Sequence, residues 1–243
     1  MTAQNPAPRP DAPPAWQRPA QAVGYVLFLA LVIVMGRDVL AGIGTFGHGW
    51  HLLALLIAGY LAADLLSGVV HFLADNFGSE TTPFFGPGFI RPFREHHTNP
   101  LGIVSHGFWE ANGNNVLVSV PVLAPAAFLL PMRESAWAHL LGSFVLFMML
   151  AVFLTNQFHK WAHMESPPRL VRLLQSSGLI LSKPHHDVHH TSPHNAHYCI
   201  TLGIWDPILE RTRFFDRLER LMRRWLPGMD PVSRVEREQS AHG

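Results

Sequence analysis

Four stretches of this chain, residues 19–36, 39–63, 111–132 and 135–158, contain no Asp, Glu, Lys or Arg. Each is near the ~20 residues that a helix needs to cross the hydrocarbon core of a bilayer. Inside lipid a lone segment must satisfy all its backbone hydrogen bonds internally, so runs like these are read as helices. The expectation is an all-α membrane protein with four transmembrane helices, at about 21–36, 51–72, 115–130 and 136–158. The third is short and carries Pro121 and Pro125. A glycine-rich loop over 41–49 should join the first two. Charged residues, only 14% of the chain, are concentrated outside these runs. The single Cys199 excludes an intrachain disulfide framework. With a formal net charge of +1, no nucleic-acid partner is expected.

Residues 1–18 are rich in Pro and Ala and read as a disordered tail. The first apolar run is read as a retained span, not a cleaved signal. Residues 19–226 then form one domain, in which 74–114 and 160–226 make a polar cap, and 227–243 form a flexible tail. Of the eighteen Lys and Arg, only Arg37 and Arg133 lie on the side away from that cap. The basic excess makes the cap side, with both termini, cytoplasmic.

Charge alone sets this orientation, and the histidines then fall into place independently. Twelve of the sixteen gather on the cap side: His71, His96, His97, His106, His159, His163 and six between His185 and His197. Neutral imidazole is a good ligand for first-row metals. His159 and His163, and likewise His71 and Asp75, are spaced one helical turn apart, as a chelating pair requires. His186, His189 and His190 form an H-x-x-H-H pattern whose three rings should converge on one volume. His96 and His97 are adjacent, so their side chains diverge by about 100° on a helix and suit different ions. His106 and Glu110, four apart, offer a further ligand and its orienter. Asn156, inside the last span, suits either a water-mediated ligand or an interhelical hydrogen bond. Asp64, an acid inside a span, suits either a functional role or helix packing.

Eight histidines in the four strongest groups exceed the three or four protein ligands of a zinc site, which suggests two ions. With no cysteine pair to hold a cluster, two irons in a mainly imidazole site are expected, with dioxygen as the co-oxidant of a lipid. The competing readings are a fatty-acyl desaturase or hydroxylase on the same di-iron core, a His-rich surface tract, a b-type cytochrome and a divalent-metal transporter. The histidines crowd beyond the span ends, whereas haem needs axial pairs on facing spans and a transporter needs polar ligands near mid-membrane.

The segments PFREHHTNP, TNQFHKWAH and HHDVHHTSPHNAHYCITLG resemble those of the plasmanylethanolamine desaturase family of membrane lipid desaturases. The resemblance covers about residues 50–226. It implies a di-iron enzyme that uses O2 to place a double bond beside the ether oxygen of an alkyl-ether phospholipid. It also implies electrons from a separate donor of the cytochrome b5 or ferredoxin type. The ligands it carries over are His71, His96, His97, His159, His163, His186, His189 and His190. Next come His106, His185 and His194, and Asp75 as the carboxylate of an H-x-x-x-D pattern; His197 is not counted. Arg91 and Arg94 are candidates for the lipid phosphate, because guanidinium matches phosphate bidentately. Over 206–226, Asp206-Pro207 should cap a basic amphipathic helix that lies either in the headgroup layer or over the metal site as a lid.

Overall fold

Helices that face lipid on one side and neighbours on the other are apolar all round, and the longest helices here have that character. The computed structural model describes residues 13–47 and 49–225, so His48 and most of both expected tails lie outside the described residues. Its elements are α1 (Gln17–Phe46), α2 (Gly49–Asn76), a π-helical turn (Gly86–Ile90), α3 (Arg91–Thr98), α4 (Gly102–Ser105) and α5 (Phe108–Leu129). There follow α6 (Ala136–Ala162), α7 (Arg169–Ser176), α8 (Lys183–His189), α9 (Asp206–Arg211) and α10 (Phe214–Trp225). No strand occurs among the described residues.

Three helices, α1, α2 and α6, are long and apolar enough to cross a membrane. The run expected to span at 115–130 lies in α5, which is not among those three. Its first turns are polar, with Asn112, Asn114 and Asn115, and it runs unbroken through Pro121 and Pro125. Each proline removes a backbone donor, but neighbours hold the helix: Val116 and Leu123 are fully buried in a core with Phe28, Leu31, Met35 and Met149. Val26, Leu29, Ile33, Leu53 and Ile57 face outward.

Two expected boundaries move. The first helix runs to Phe46, so most of the expected glycine-rich loop is helical. Asp38 inside it is paired with Arg133 at 2.5 Å, so the charge stays within the helix. The expected 1–18 tail also ends too late. Trp16 packs edge-on to Phe84 at 5.9 Å, and buried Gln17 donates to Asn114 Oδ1 at 2.8 Å.

Close helix approach fixes the frame beneath the cap. At Gly59 an added Cβ would sit 2.8 Å from the Met148 backbone nitrogen, so only glycine lets α2 lie this close to α6. At the far end His139 donates from Nε2 to the Val39 carbonyl at 3.0 Å, tying α6 to α1. The two parallel helices α2 and α6 therefore end side by side, and α3, α8 and the 196–205 segment close over those ends.

Candidate metal centre

The last turns of α2 and α6, together with α3 and α8, bring all eight carried-over histidines into two adjoining groups. The first contains His96, His159, His163, His186 and His190. Their Nε2 atoms face one another. The separations are 2.8 Å for His96–His163 and His159–His186, 3.2 Å for His159–His163 and His96–His190, and 3.1 Å for His186–His190.

The rings have a definite arrangement. His163 lies 4.4, 5.0, 4.7 and 4.7 Å, centre to centre, from His96, His159, His186 and His190. Those four form a square with sides of 4.5, 4.5, 4.7 and 4.8 Å, and the His96–His186 diagonal is 6.2 Å. Two imidazoles on perpendicular axes at ~2.1 Å from one ion would hold their ring centres about 4.6 Å apart, and on one axis about 6.5 Å. The five rings thus match an octahedron lacking one vertex, the one opposite His163. Five nitrogens are too many for a four-coordinate structural zinc and suit a metal that accepts six ligands.

The second group is His71, Asp75, His97 and His189. Asp75 Oδ2 lies 3.4, 3.1 and 3.6 Å from the Nε2 atoms of His71, His97 and His189. Nε2 of His71 and of His189 and Oδ1 of Asp75 are buried with no hydrogen-bond partner. Buried polar atoms left so are costly, and two imidazole nitrogens beside a carboxylate oxygen in one pocket are what a cation would satisfy. The second group adjoins the open side of the square: His97 is 5.4 Å from His190, His189 is 5.7 Å from His186, and His71 is 6.1 Å from His159.

The protonation pattern follows from the backbone. The Nδ1 of His71 lies 3.0 Å from the Tyr198 carbonyl, and that of His189 lies 2.7 Å from the Ala196 carbonyl. A carbonyl only accepts, so both Nδ1 atoms carry the proton and both Nε2 lone pairs face the pocket. Burial, reinforced by neighbouring imidazoles, drives His96, His186 and His190 well below the usual histidine range. Burial, with Lys183 adding to it, brings His163 down to about 4. All four are therefore neutral, the ligating form.

The segment that orients His71 and His189 is itself held by carboxylates. Leu202, Gly203 and Ile204 donate backbone N–H to Asp64 at 2.7, 2.9 and 3.0 Å. Cys199 N–H donates to Asp206 Oδ1 at 3.0 Å, and His185 Nε2–H donates to its Oδ2 at 2.7 Å. Asp64, legible in the sequence as an acid inside a span, therefore serves packing and lies outside both groups. Asp206 is the first residue of α9 rather than its cap, and its carboxylate braces α8. His185, His197 and Asp206 also lie close together. The two rings stack at 4.1 Å, with His185 Nε2 spent on Asp206 and His197 Nδ1–H on the His185 carbonyl at 3.0 Å, so this trio reads as a brace.

Other expectations divide. The H-x-x-H-H pattern does not converge on one volume: His186 and His190, four apart, enter the first group, whereas His189 turns to the second, toward His71, Asp75 and His97. His96 and His97 separate between the groups, as adjacent helical positions must. His194 lies at the edge of the second group, its ring 4.7 Å from His97, and spends Nδ1–H on the His189 carbonyl at 3.0 Å. Exposed Glu110 lies 3.8 Å from Arg18, and His106 is exposed with its carbonyl bonded to Lys160. Neither belongs to the two groups. Asn156 donates to the Ala111 carbonyl at 3.0 Å, an interhelical bond. Arg94 donates to the Phe77 and Gly78 carbonyls at 3.1 Å each, so its guanidinium is engaged by the turn after α2. Phe214, Phe215, Leu218 and Met222 of α10 pack on Phe72 and Tyr198, which makes that helix a cover over the second group.

Residues 60–234 match the lipid desaturase domain. The chain is 48% identical over 182 residues to plasmanylethanolamine desaturase of Myxococcus xanthus, covering 75% of this chain and 64% of that protein. It is 42% identical over 171 residues to plasmanylethanolamine desaturase 1 of Mus musculus, covering 69% of this chain and 63% of that one. With the chloroplastic fatty acid desaturase 4 of Arabidopsis thaliana it shares 37% identity over 164 residues, covering 67% and 49%. In each case the match spans less than two thirds of the relative's length. No solved structure matches the chain significantly.

Proposed function

Because the chain belongs to the lipid desaturase domain family, we propose that it is a di-iron, O2-dependent oxidoreductase that forms the vinyl-ether double bond of a plasmalogen from an alkyl-ether phospholipid. The observation that carries this reading is the pair of adjoining donor groups, one of five imidazoles and one of three imidazoles and a carboxylate. It is joined by the names of the relatives from Myxococcus xanthus and Mus musculus.

In this reading His96, His159, His163, His186 and His190 hold one iron, and His71, His97, His189 and Asp75 the other. Iron at such ligands, with O2 and electrons, supplies an oxidant strong enough to take hydrogen from an unactivated alkyl chain. The chain's own residues supply position. The Tyr198 and Ala196 carbonyls fix the His71 and His189 rings, and Asp64 and Asp206 fix the segment that carries those carbonyls. The aromatic cover of Phe72, Tyr198 and Phe215 limits water at the second group. Arg91 takes the lipid phosphate.

We read α5 as the fourth span, with both termini in the cytoplasm, in keeping with the basic excess on the cap side. Residues 19–226 form one catalytic domain, and reducing equivalents come from a separate donor protein.

Lipid analysis of cells fed an alkylglycerol tests the reading. Plasmenyl lipids should appear with the native chain and be absent with His163→Ala or His189→Ala. Unsaturated acyl chains without vinyl ethers would instead favour a fatty-acyl desaturase, the activity in the name of the Arabidopsis thaliana relative.

A further inference from the structure

Two stretches of the cap reach below the metal centre along the bundle. The Tyr60 hydroxyl donates to the Leu179 carbonyl at 2.6 Å, and the Trp205 indole N–H donates to the Leu61 carbonyl at 2.8 Å. Tyr60 and Leu61 lie about one helical turn, ~6 Å, from Asp64 on the side away from His71, within a helix apolar enough to span. Val171 and Leu174 of α7 pack at the same depth, against Leu154 and Phe158 of α6 and against Tyr60.

The outward faces of these stretches are apolar. Leu170, Leu173 and Leu179 are 66%, 63% and 55% exposed, and Ile204 and Ile208 are 54% and 53% exposed. A water-facing set of this kind is unusual for a soluble surface, whereas an interfacial helix buries such a face ~5–10 Å into the headgroup–acyl boundary. Arg169 and Arg172 are exposed beside the leucines, with side chains long enough to reach phosphates. A carbonyl held at apolar depth needs a donor from the protein, and Tyr60 provides one for Leu179.

We propose that α7 and the start of α9 are seated in the lipid leaflet on the metal-centre side. Leu170, Leu173, Leu179, Ile204 and Ile208 lie among acyl chains, and Arg169 and Arg172 lie at the phosphates. This seating sets the depth of the centre, so that a lipid's upper chain, rather than its tail end, lies level with it.

Site-directed spin labelling of the full chain in phospholipid nanodiscs tests the seating. Cys199 is buried and is the chain's single cysteine, so labels introduced elsewhere are selective. Leu173→Cys and Ile208→Cys are labelled separately, and exposed Glu80→Cys serves as the water-facing reference. Collision with molecular oxygen relative to a water-soluble nickel chelate should be severalfold higher at 173 and at 208 than at 80. Equal, water-like ratios at all three positions would overturn the proposal, and a lipid-like ratio at only one would overturn it for the other stretch. The readout does not depend on iron or turnover, so it stands or falls separately from the proposed activity.

Discussion

His96 and His163 are 67 residues apart in the chain, yet their Nε2 atoms lie 2.8 Å apart. One is on α3, before α5, and the other closes α6. Two neutral imidazoles this close, both largely shielded from water, are stable together only with a shared cation or proton between them. Their separation is that of neighbouring ligands on one ion.

The two groups should fail one at a time. His163→Ala removes the ring that contacts all four others of the first group, and His189→Ala removes a ligand of the second. Purified native protein should carry about two irons and each variant about one, by the ligand count for each group. Mössbauer spectra of iron-57 protein should lose a different component in each case. The same component lost from both would show that the groups are not independent sites.

Asp64→Asn should weaken the seat of the 196–205 segment without removing any ligand. The carboxylate accepts three backbone N–H groups, and the amide must turn an N–H toward at least one of them. A loss of about 1–3 kcal/mol is expected, read as a lower melting temperature in detergent. An unchanged melting temperature would refute the anchoring role.

Arg94→Gln should act on folding rather than on lipid recognition, since both carbonyls it serves belong to the turn after α2. We expect about 1–3 kcal/mol of destabilisation and reduced iron retention. A raised KM with unchanged stability and iron content would instead return Arg94 to the phosphate role.

The metal-free protein should be acid-sensitive in a defined window. His163 is held neutral by burial down to about 4 when folded, whereas in the unfolded chain an imidazole protonates near its ordinary ~6.5. The unfolded state therefore binds the proton first. Stability is fully present above about 6.5 and falls as pH drops toward 4. His96, His186 and His190 shift the same way and extend the trend to lower pH. Thermal melts of chelator-treated protein across this range provide the check, and a flat profile would count against neutral buried rings.

Gly59→Ala should separate α2 from α6. The new methyl would meet the backbone of α6 at Met148 rather than a flexible side chain, so the helices must move. Overpacking of this kind costs about 1–3 kcal/mol, and because α2 carries His71 and α6 carries His159, iron content should fall as well. Full retention of both stability and iron would show that the contact is looser than its geometry implies.

The chain's own order of residues marked four membrane-length uncharged runs, three of which are helices long and apolar enough to span, together with the crowding of histidines at one end and every imidazole of the two groups. Those signals are local: uncharged runs of fixed length, and ligands one turn apart on the same helix. The separation of His96 from His97 was equally legible, since adjacent helical positions diverge. The partition of His186, His189 and His190 was not, because which of two faces each ring meets depends on where α3 and the end of α2 lie. The roles of Asp64, Asn156, Arg94 and Asp206 were likewise settled only by tertiary contacts. Each is a polar side chain whose partner is a backbone group or side chain distant in sequence, and a backbone amide carries no residue-specific mark. Spacing and the family resemblance together singled out the candidate donors, and the packing of α2, α3, α6 and α8 decided which of them face one another.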